Sequence, residues 1–474
     1  MKLGHLEVLS EAEIREIHEA TVDILATCGV KIYSGKVVDF LGEKGLPVDA
    51  GKQTVLLSRD AVENALESIP RRFEVFDREG EPCFTLGDGE SRFAAGHNAV
   101  NWVDSESGET RYSTVADVEL FARICQQLAC IDMIGIPVMP QDVPLPKATL
   151  LYGVRAVIEN STKPIFFSSE SAKVNDAVID MLAAAFAGDL EKRCYGISQL
   201  SPTSPLYWES GAVEALLDNA ERGIPTAILP EPNAGVTAPY TLAGLLTMNN
   251  AECLSGFVIL QLLKPRLPVM YANSWTTTDM LSGAALVGSI ESTVCRIAGA
   301  QLARHYGVPS HTTAPNSDNH AHDEQSAWEK TLSAFCAAGA GNDLIVNCGM
   351  FAAGLTCSHE QLIMDEAMCA FARRITEGLD VSEETIARDL IKSIGPDGGT
   401  YLTTDHTLKW LRSKEYVDRR ISVSGPYAAW KQTGAKDSYQ LARDRVRKSR
   451  ELEAPPFDEK RRAGIREIVS QFRP

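Results

Sequence analysis

A chain of 474 residues that is 44% hydrophobic and 23% charged, with no long biased tract, has the composition of a globular protein with a large core, not of a disordered or fibrous one. Its formal net charge of −17 excludes nucleic acid or an anionic membrane surface as the main partner, because both would be repelled, and leaves a cationic ligand open. The start, "MKLGHLEVLSEAEI", lacks the basic and apolar regions of a signal peptide, and no stretch reads as the ~18 consecutive apolar residues of a membrane span, so a cytoplasmic location is expected.

Ser10 with Glu13 forms a capping-box pattern, and Ile14, Ile17, Ile24 and Leu25 then recur at helical spacing until Gly29, which predicts an amphipathic helix. A short strand, a second helix capped near Ser58 and stopped at Pro70, and a hairpin around Glu79-Gly80 follow; together they form an N-terminal α+β cap over residues 1–90. From 91 to 379 a different rhythm takes over. The runs "RFAAG", "DMIGIPVM", "PIFFSS", "YGISQL", "PTAILP", "PVMYAN", "PSHTTA" and "DLIVNCGM" each lead through a polar elbow into a helix-period segment.

Eight such units, with strands apolar on both faces, predict a (β/α)8 TIM barrel, an α/β fold whose strands are covered by helices outside and by one another inside. An open doubly wound sheet is the alternative, but no strand enters a helix through G-x-G-x-x-G or a P-loop. Residues 380–474 read as a helical C-terminal extension. The eleven cysteines are scattered without a C-x-x-C, so neither a disulfide framework nor a structural zinc site is expected.

A barrel works through the loops after its strands. Those loops carry His97 and Asn98, Gln141 and Asp142, Ser169 and Glu170, Ser201, Glu231 and Asn233, Asn273 and Trp275, His311, Asp318 and His320, and Phe351, a set poor in lysine and arginine that suits a neutral or cationic substrate. Between His311 and Asp323 lie three of the nine histidines and two aspartates. His320-x-His322-Asp323 resembles a zinc-binding H-x-H, but such a pair in a loop beyond the strand would aim its side chains apart, so no metal is expected. Trp328, Trp410 and Trp430 sit in helical patterns as packing residues; Trp275 and Trp208 sit near strand ends, where an aromatic face can hold a quaternary ammonium.

"VDSESGETRYSTVADVELFARICQQL", "PQDVP", "SPTSPL", "GVTAPYTLAGLLTMNNAE", "HDEQSAWEKTLSAFCAAGAG", "SHEQLIMDE" and "GPDGGTYLTTDHTLKW" resemble, in order and spacing, the trimethylamine:corrinoid methyltransferase family over nearly the whole chain. The resemblance implies transfer of a methyl group from a methylated amine to the Co(I) corrinoid of a separate carrier protein, with no cofactor held tightly by this chain. The trimethylamine branch carries pyrrolysine in its barrel, whereas every residue here is standard. The chain therefore resembles the branch that uses quaternary amines such as glycine betaine.

On that reading, Asp318 and His320 occupy the stretch where the family's special chemistry lies. Trp275, Phe351 and Trp208 form an ammonium cage, Glu231 or Asp142 supplies negative charge, and His311, His320 and His359 with Asn273 hold a substrate carboxylate. His359 has a second reading, as a cap on the helix beginning near Ser358. A homo-oligomer is expected, and the rival classes are a metal-dependent hydrolase or lyase and a non-catalytic amine-binding subunit.

Overall fold

The structure, a computed structural model, describes residues 4–104, 106–169, 171–396, 398–413, 415–417 and 421–473. Glu170 lies outside the described residues. Eight parallel strands close a barrel: β1 (Arg92–Ala95), β2 (Met133–Ile134), β3 (Ile165–Ser168), β4 (Gly196–Leu200), β5 (Thr226–Ile228), β6 (Val269–Asn273), β7 (Ser310–Thr313) and β8 (Leu344–Cys348). Closure comes from β8 pairing with β1, Ile345 opposite Phe93. Helices α1 (Val115–Gln127), α2 (Thr149–Asn160), α3 (Ala172–Ala185), α4 (Ser210–Arg222), α5 (Leu242–Leu263), α6 (Ile290–Tyr306), α7 (Glu324–Gly339) and α8 (His359–Glu377) alternate with the strands, which is the expected (β/α)8 architecture and not the open sheet.

Short apolar strands make this barrel because alternate side chains must be buried both ways. Inward, Ala94, Met133, Phe166, Ile197, Ala227, Met270, Ala272, Leu344 and Val346 form one cluster. The N-terminal hairpin (Phe73–Phe76 with Pro82–Leu86) adds Val75 and Leu86 to the same cluster and so floors the barrel. Asp343 fastens that floor, accepting from Gly87 N at 2.9 Å and from Ser310 N at 2.7 Å.

The N-terminal helix Glu11–Thr27 has the capping box the sequence predicts, and Ser58 caps the helix Arg59–Ser68. Both helices pack on α5. Covered by them outside and by the strands inside, α5 is buried along most of its length, with Asn249, Asn250, Glu252, Ser255 and Gln261 scattered among apolar side chains. Among the described residues it is the one helix long and apolar enough to cross a membrane, a stretch the sequence reading passed over, yet 72% of its most apolar window is buried within the fold. Of the packing tryptophans, Trp328 is a correction: it is 61% exposed, because α7 turns its serines and alanines inward and leaves the indole outside. In the C-terminal extension, the helix Ser438–Ser449 packs on α8 and α1, and Glu459–Gln471 on α3 and α2.

One buried ion pair ties the loops after β7 and β8 together. The Lys330 ammonium of α7 donates to Pro315 O at 3.0 Å and to Met350 O, and lies 3.2 Å from Asp365 Oδ2; neither side chain is exposed at all. Asp365 accepts in turn from Gly349 N at 2.7 Å and Gln361 Nε2 at 2.8 Å. Burial pushes the Asp365 carboxyl up to about 6 and the Lys330 charge opposes it. Breaking one side of such a pair strands the other charge, so Lys330→Met is expected to cost about 3–5 kcal/mol in urea denaturation, part of it recovered by adding Asp365→Asn. A loss below about 1 kcal/mol would show that the pair does not carry these loops.

Candidate active site

The loops at the C-terminal ends of the strands enclose a cavity of about 960 Å³. That is at the upper end of the roughly 300–1,000 Å³ usual for small-molecule sites. Strand alternation supplies its floor. Ser168 lies two residues beyond Phe166, Gln199 two beyond Ile197 and Ser274 two beyond Ala272, so on these strands the inward face turns from apolar to polar at the mouth, where Thr313, two beyond His311, also lines the cavity. Asn347 escapes this rule. The register of β8 against β1 shifts between Val346 and Cys348, and Asn347 sits at φ 130°, so the irregularity turns an otherwise outward side chain into the cavity.

His97 is the centre of the floor. Gln199 Nε2 lies 2.8 Å from His97 Nε2 and acts as donor there, which leaves His97 Nδ1–H to donate to Asn347 Oδ1 at 3.3 Å. Asn347 Nδ2 donates to Asn316 Oδ1 at 2.8 Å. Burial pushes the His97 imidazole down to about 4, so it is neutral. Gly96 delivers His97 to this place: at φ 80° its backbone passes so close to Pro137 that a Cβ would meet Pro137 Cα at 2.6 Å.

The walls are acidic. Glu209, Glu231 and Asp318 line the cavity, and among the described lining residues there is no lysine, arginine, tryptophan, tyrosine or phenylalanine. Asp318 also clamps the loop before α6, accepting from Val287 N at 2.8 Å and Gly288 N at 3.0 Å, and burial raises its carboxyl. Arg296 lies buried behind that wall, its guanidinium donating to Thr313 O at 2.6 Å and Val287 O at 2.8 Å.

Of the residues singled out from sequence, Asp318, His320 and Glu231 meet in this cavity, with His97, Asn98 and Ser201. His320 is on the exposed rim, while His322 turns back to Gln361 Oε1 at 2.8 Å and stacks on Tyr439, so the two imidazoles diverge. Among the described residues no three His, Cys, Asp or Glu side chains converge as metal ligands.

The remaining assignments need correction. Trp275 is fully buried outside the barrel wall against Gly299 of α6, its Nε1 donating to Asn273 Oδ1 at 2.7 Å. Asn273 is its partner there and also accepts from Thr312, on the helix side of the strands. Trp208 is buried behind the cavity wall and donates to Ser255 Oγ at 3.0 Å. Phe351 closes a small apolar cluster with Val103 and Ala352. Asp142 is exposed and accepts from Val115 N at 2.8 Å, at the start of α1. His311 is sealed below the floor, stacked on Phe166 at 5.0 Å. His359 is buried against Trp102 and lies 3.1 Å from the Asp117 carbonyl; the helix cap is Ser358.

The sequence reading missed Gln199, Asn347 and Glu209. A polar amide near the end of an otherwise apolar strand, as in "GISQL" and "LIVNC", is the signal that marks the first two.

His97, His311 and His359 are pushed down by burial to about 4, 3 and 4. Their folded values lie below the ordinary 6.5, so the stability they contribute is complete above that pH and is lost as pH falls toward their folded values. His311→Phe, a change to another ring that stacks without hydrogen-bonding, is expected to lessen the fall in unfolding free energy between about pH 6.5 and 4 by one proton's share, about 1.4 kcal/mol per pH unit at most. An unaltered slope would mean that His311 is not a buried neutral group.

The family model for trimethylamine methyltransferase (MTTB) matches residues 1–473. Trimethylamine methyltransferase MttB of Desulfitobacterium hafniense (strain DSM 10664 / DCB-2) is 32% identical over 468 residues, 98% of this chain and 93% of that protein. A glycine betaine methyltransferase of Desulfitobacterium hafniense (strain Y51) is 29% identical over 434 residues, covering 90% of this chain and 89% of that one. The crystal structure of the Methanosarcina barkeri monomethylamine methyltransferase MtmB, 12% identical, superposes over 96% of this chain and 90% of its own with a TM-score of 0.54, a likeness of fold. Matched from end to end, the chain belongs to the trimethylamine methyltransferase (MTTB) family and its activity is methyl transfer.

Proposed function

We propose that the chain moves a methyl group from a quaternary amine of the glycine betaine type to the Co(I) corrinoid of a separate carrier protein. The observation that carries this reading is the cavity itself: among apolar residues it bears three carboxylates and several hydroxyls, and it has no lysine or arginine among its described lining residues. Such a cavity attracts an ammonium and repels a phosphate. The ammonium lies among Glu209, Glu231 and Asp318, held by charge and oxygen in place of the aromatic cage expected from sequence. Asn98 and His320 are the lining groups suited to a carboxylate tail.

The chemistry matches this inventory. A quaternary nitrogen already carries its charge, so loss of a methyl group leaves a neutral tertiary amine and no proton has to be supplied. The neutral His97 is consistent with that. Because the positive charge disappears as the methyl leaves, tight binding of the cation does not by itself speed the step. What these residues do is orient the head group, with one methyl toward the mouth, and hold it there.

The mouth is built for a large partner. Val236, Tyr240, Met280, Leu281 and Leu355, all on loops after strands, are exposed, Leu281 by 99%. An apolar rim of this kind favours a docked protein over open solvent. The carrier protein, bringing its corrinoid as the methyl acceptor, is the partner that fits the reading.

The test mixes the protein with a reduced Co(I) corrinoid, free or carrier-bound, and a panel of trimethylamine, glycine betaine, proline betaine and carnitine. Consumption of the Co(I) absorbance with one quaternary amine is expected; silence across the panel with the carrier present would overturn the proposal. With the responding amine, Glu231→Gln is expected to raise KM about tenfold, some 1.4 kcal/mol, with kcat within about twofold. An unchanged KM would remove Glu231 from the site.

A further inference from the structure

The turn after β4 forms one wall of the cavity through Ser201, Thr203 and Ser204. It is tight: Thr203 and Tyr207 exchange backbone hydrogen bonds at 2.7 and 3.1 Å, and Leu206 between them sits at φ 56°, the left-handed region that a leucine enters only at a cost. Leu206 is clamped from two sides. Its carbonyl accepts from Lys31 N at 3.0 Å, and its N–H donates to Glu252 Oε1 at 2.9 Å. The other oxygen, Glu252 Oε2, accepts from Ser204 Oγ at 2.8 Å.

Glu252 belongs to α5, where it is fully buried beside Asn249, Asn250 and Ser255 and is the one acidic residue of the helix. Among the described residues no lysine, arginine or histidine pairs with it, and burial pushes its carboxyl up to about 7. A carboxylate buried without a cationic partner is costly. It does not line the cavity, so it is not a substrate contact. What it touches is the wall.

We propose that Glu252 is a positioning residue for the substrate cavity: from behind, it holds the Ser201–Leu206 turn in its strained shape and draws the Ser204 hydroxyl hydrogen away from the cavity. An ionised carboxylate only accepts, so the Ser204 O–H must point at it, and the lone pairs of Ser204 Oγ are left for the ligand. The wall thereby presents an acceptor to an ammonium instead of a donor. This second half rests on the proposed quaternary-amine substrate; the anchoring of the turn does not.

Two measurements separate the halves. Hydrogen exchange at the Leu206 amide is expected to quicken about tenfold in Glu252→Ala while the barrel strands keep their protection, and to stay near the starting rate in Glu252→Gln, whose amide oxygen still accepts from Leu206. Should Glu252→Ala not fold, Glu252→Met, which fills the same volume without an acceptor, takes its place. No change at Leu206, or a loosening spread evenly over the barrel, would overturn the anchoring role. In methyl transfer from glycine betaine at about pH 8, above the value of about 7 for the Glu252 carboxyl, Glu252→Gln is expected to raise KM about fivefold with kcat within about twofold, because the new amide donates to Ser204 and frees its hydrogen into the cavity. In a Ser204→Ala background the same change is expected to add nothing, whereas additive effects would overturn the Ser204 half. If the starting protein turns over no amine, the functional reading falls, and the exchange comparison still decides whether Glu252 anchors the wall.

Discussion

Loops that cap a parallel barrel leave backbone N–H and C=O groups with no strand to pair with, and those groups must be satisfied even where no water reaches them. In this chain buried ionisable side chains meet that demand from behind the mouth. Lys330 gathers the carbonyls of Pro315 and Met350, Asp365 takes the amide of Gly349, and Glu252 takes that of Leu206. Asp318 does the same for Val287 and Gly288 while also facing the cavity. The walls of the site have their shape because these groups, each set on a helix or a barrel loop, give the irregular backbone fixed partners.

The consequence is a cavity whose lining is held in place from behind. Its floor is a chain of amides around a neutral imidazole, in which each donor already has an acceptor. Its walls set carboxylates and hydroxyls among apolar residues. Arg296 lies buried behind Asp318, while Glu209 and Glu231 come from the loops after β4 and β5. On the proposed reading, such a site orients a quaternary ammonium without offering it a proton, which is what removal of a methyl group from that nitrogen requires.

The aromatic residues show how a sound local argument fails at the next level. Trp275 and Trp208 follow strand ends, and in a barrel such positions face the ligand half the time. A strand's side chains alternate, however, and the phase is fixed only when neighbouring strands pair. Here the phase puts Asn273 outward, and Trp275 follows it to pack against a helix at Gly299. Trp208 pairs instead with the N-terminal strand, a partner 176 residues away in the chain at Ile32. Phase also buries His311 below the floor, while Asp318 and His320, from the same stretch of sequence, rise to the wall and the rim.

The amino-acid sequence by itself determined the strand-and-helix rhythm, hence the barrel, along with the helix caps at Ser10 and Ser58 and the floor hairpin, because periodicity and capping act within a few residues of chain. It also determined the acidic character of the site, since the loop residues after the strands are poor in lysine and arginine. Tertiary structure alone decided which of those loop residues meet. The bulge that turns Asn347 inward, the burial that keeps His97 neutral, and the meeting of Glu252 with a turn 46 positions away are set by the register of strands and the packing of helices, interactions between segments that no local pattern encodes.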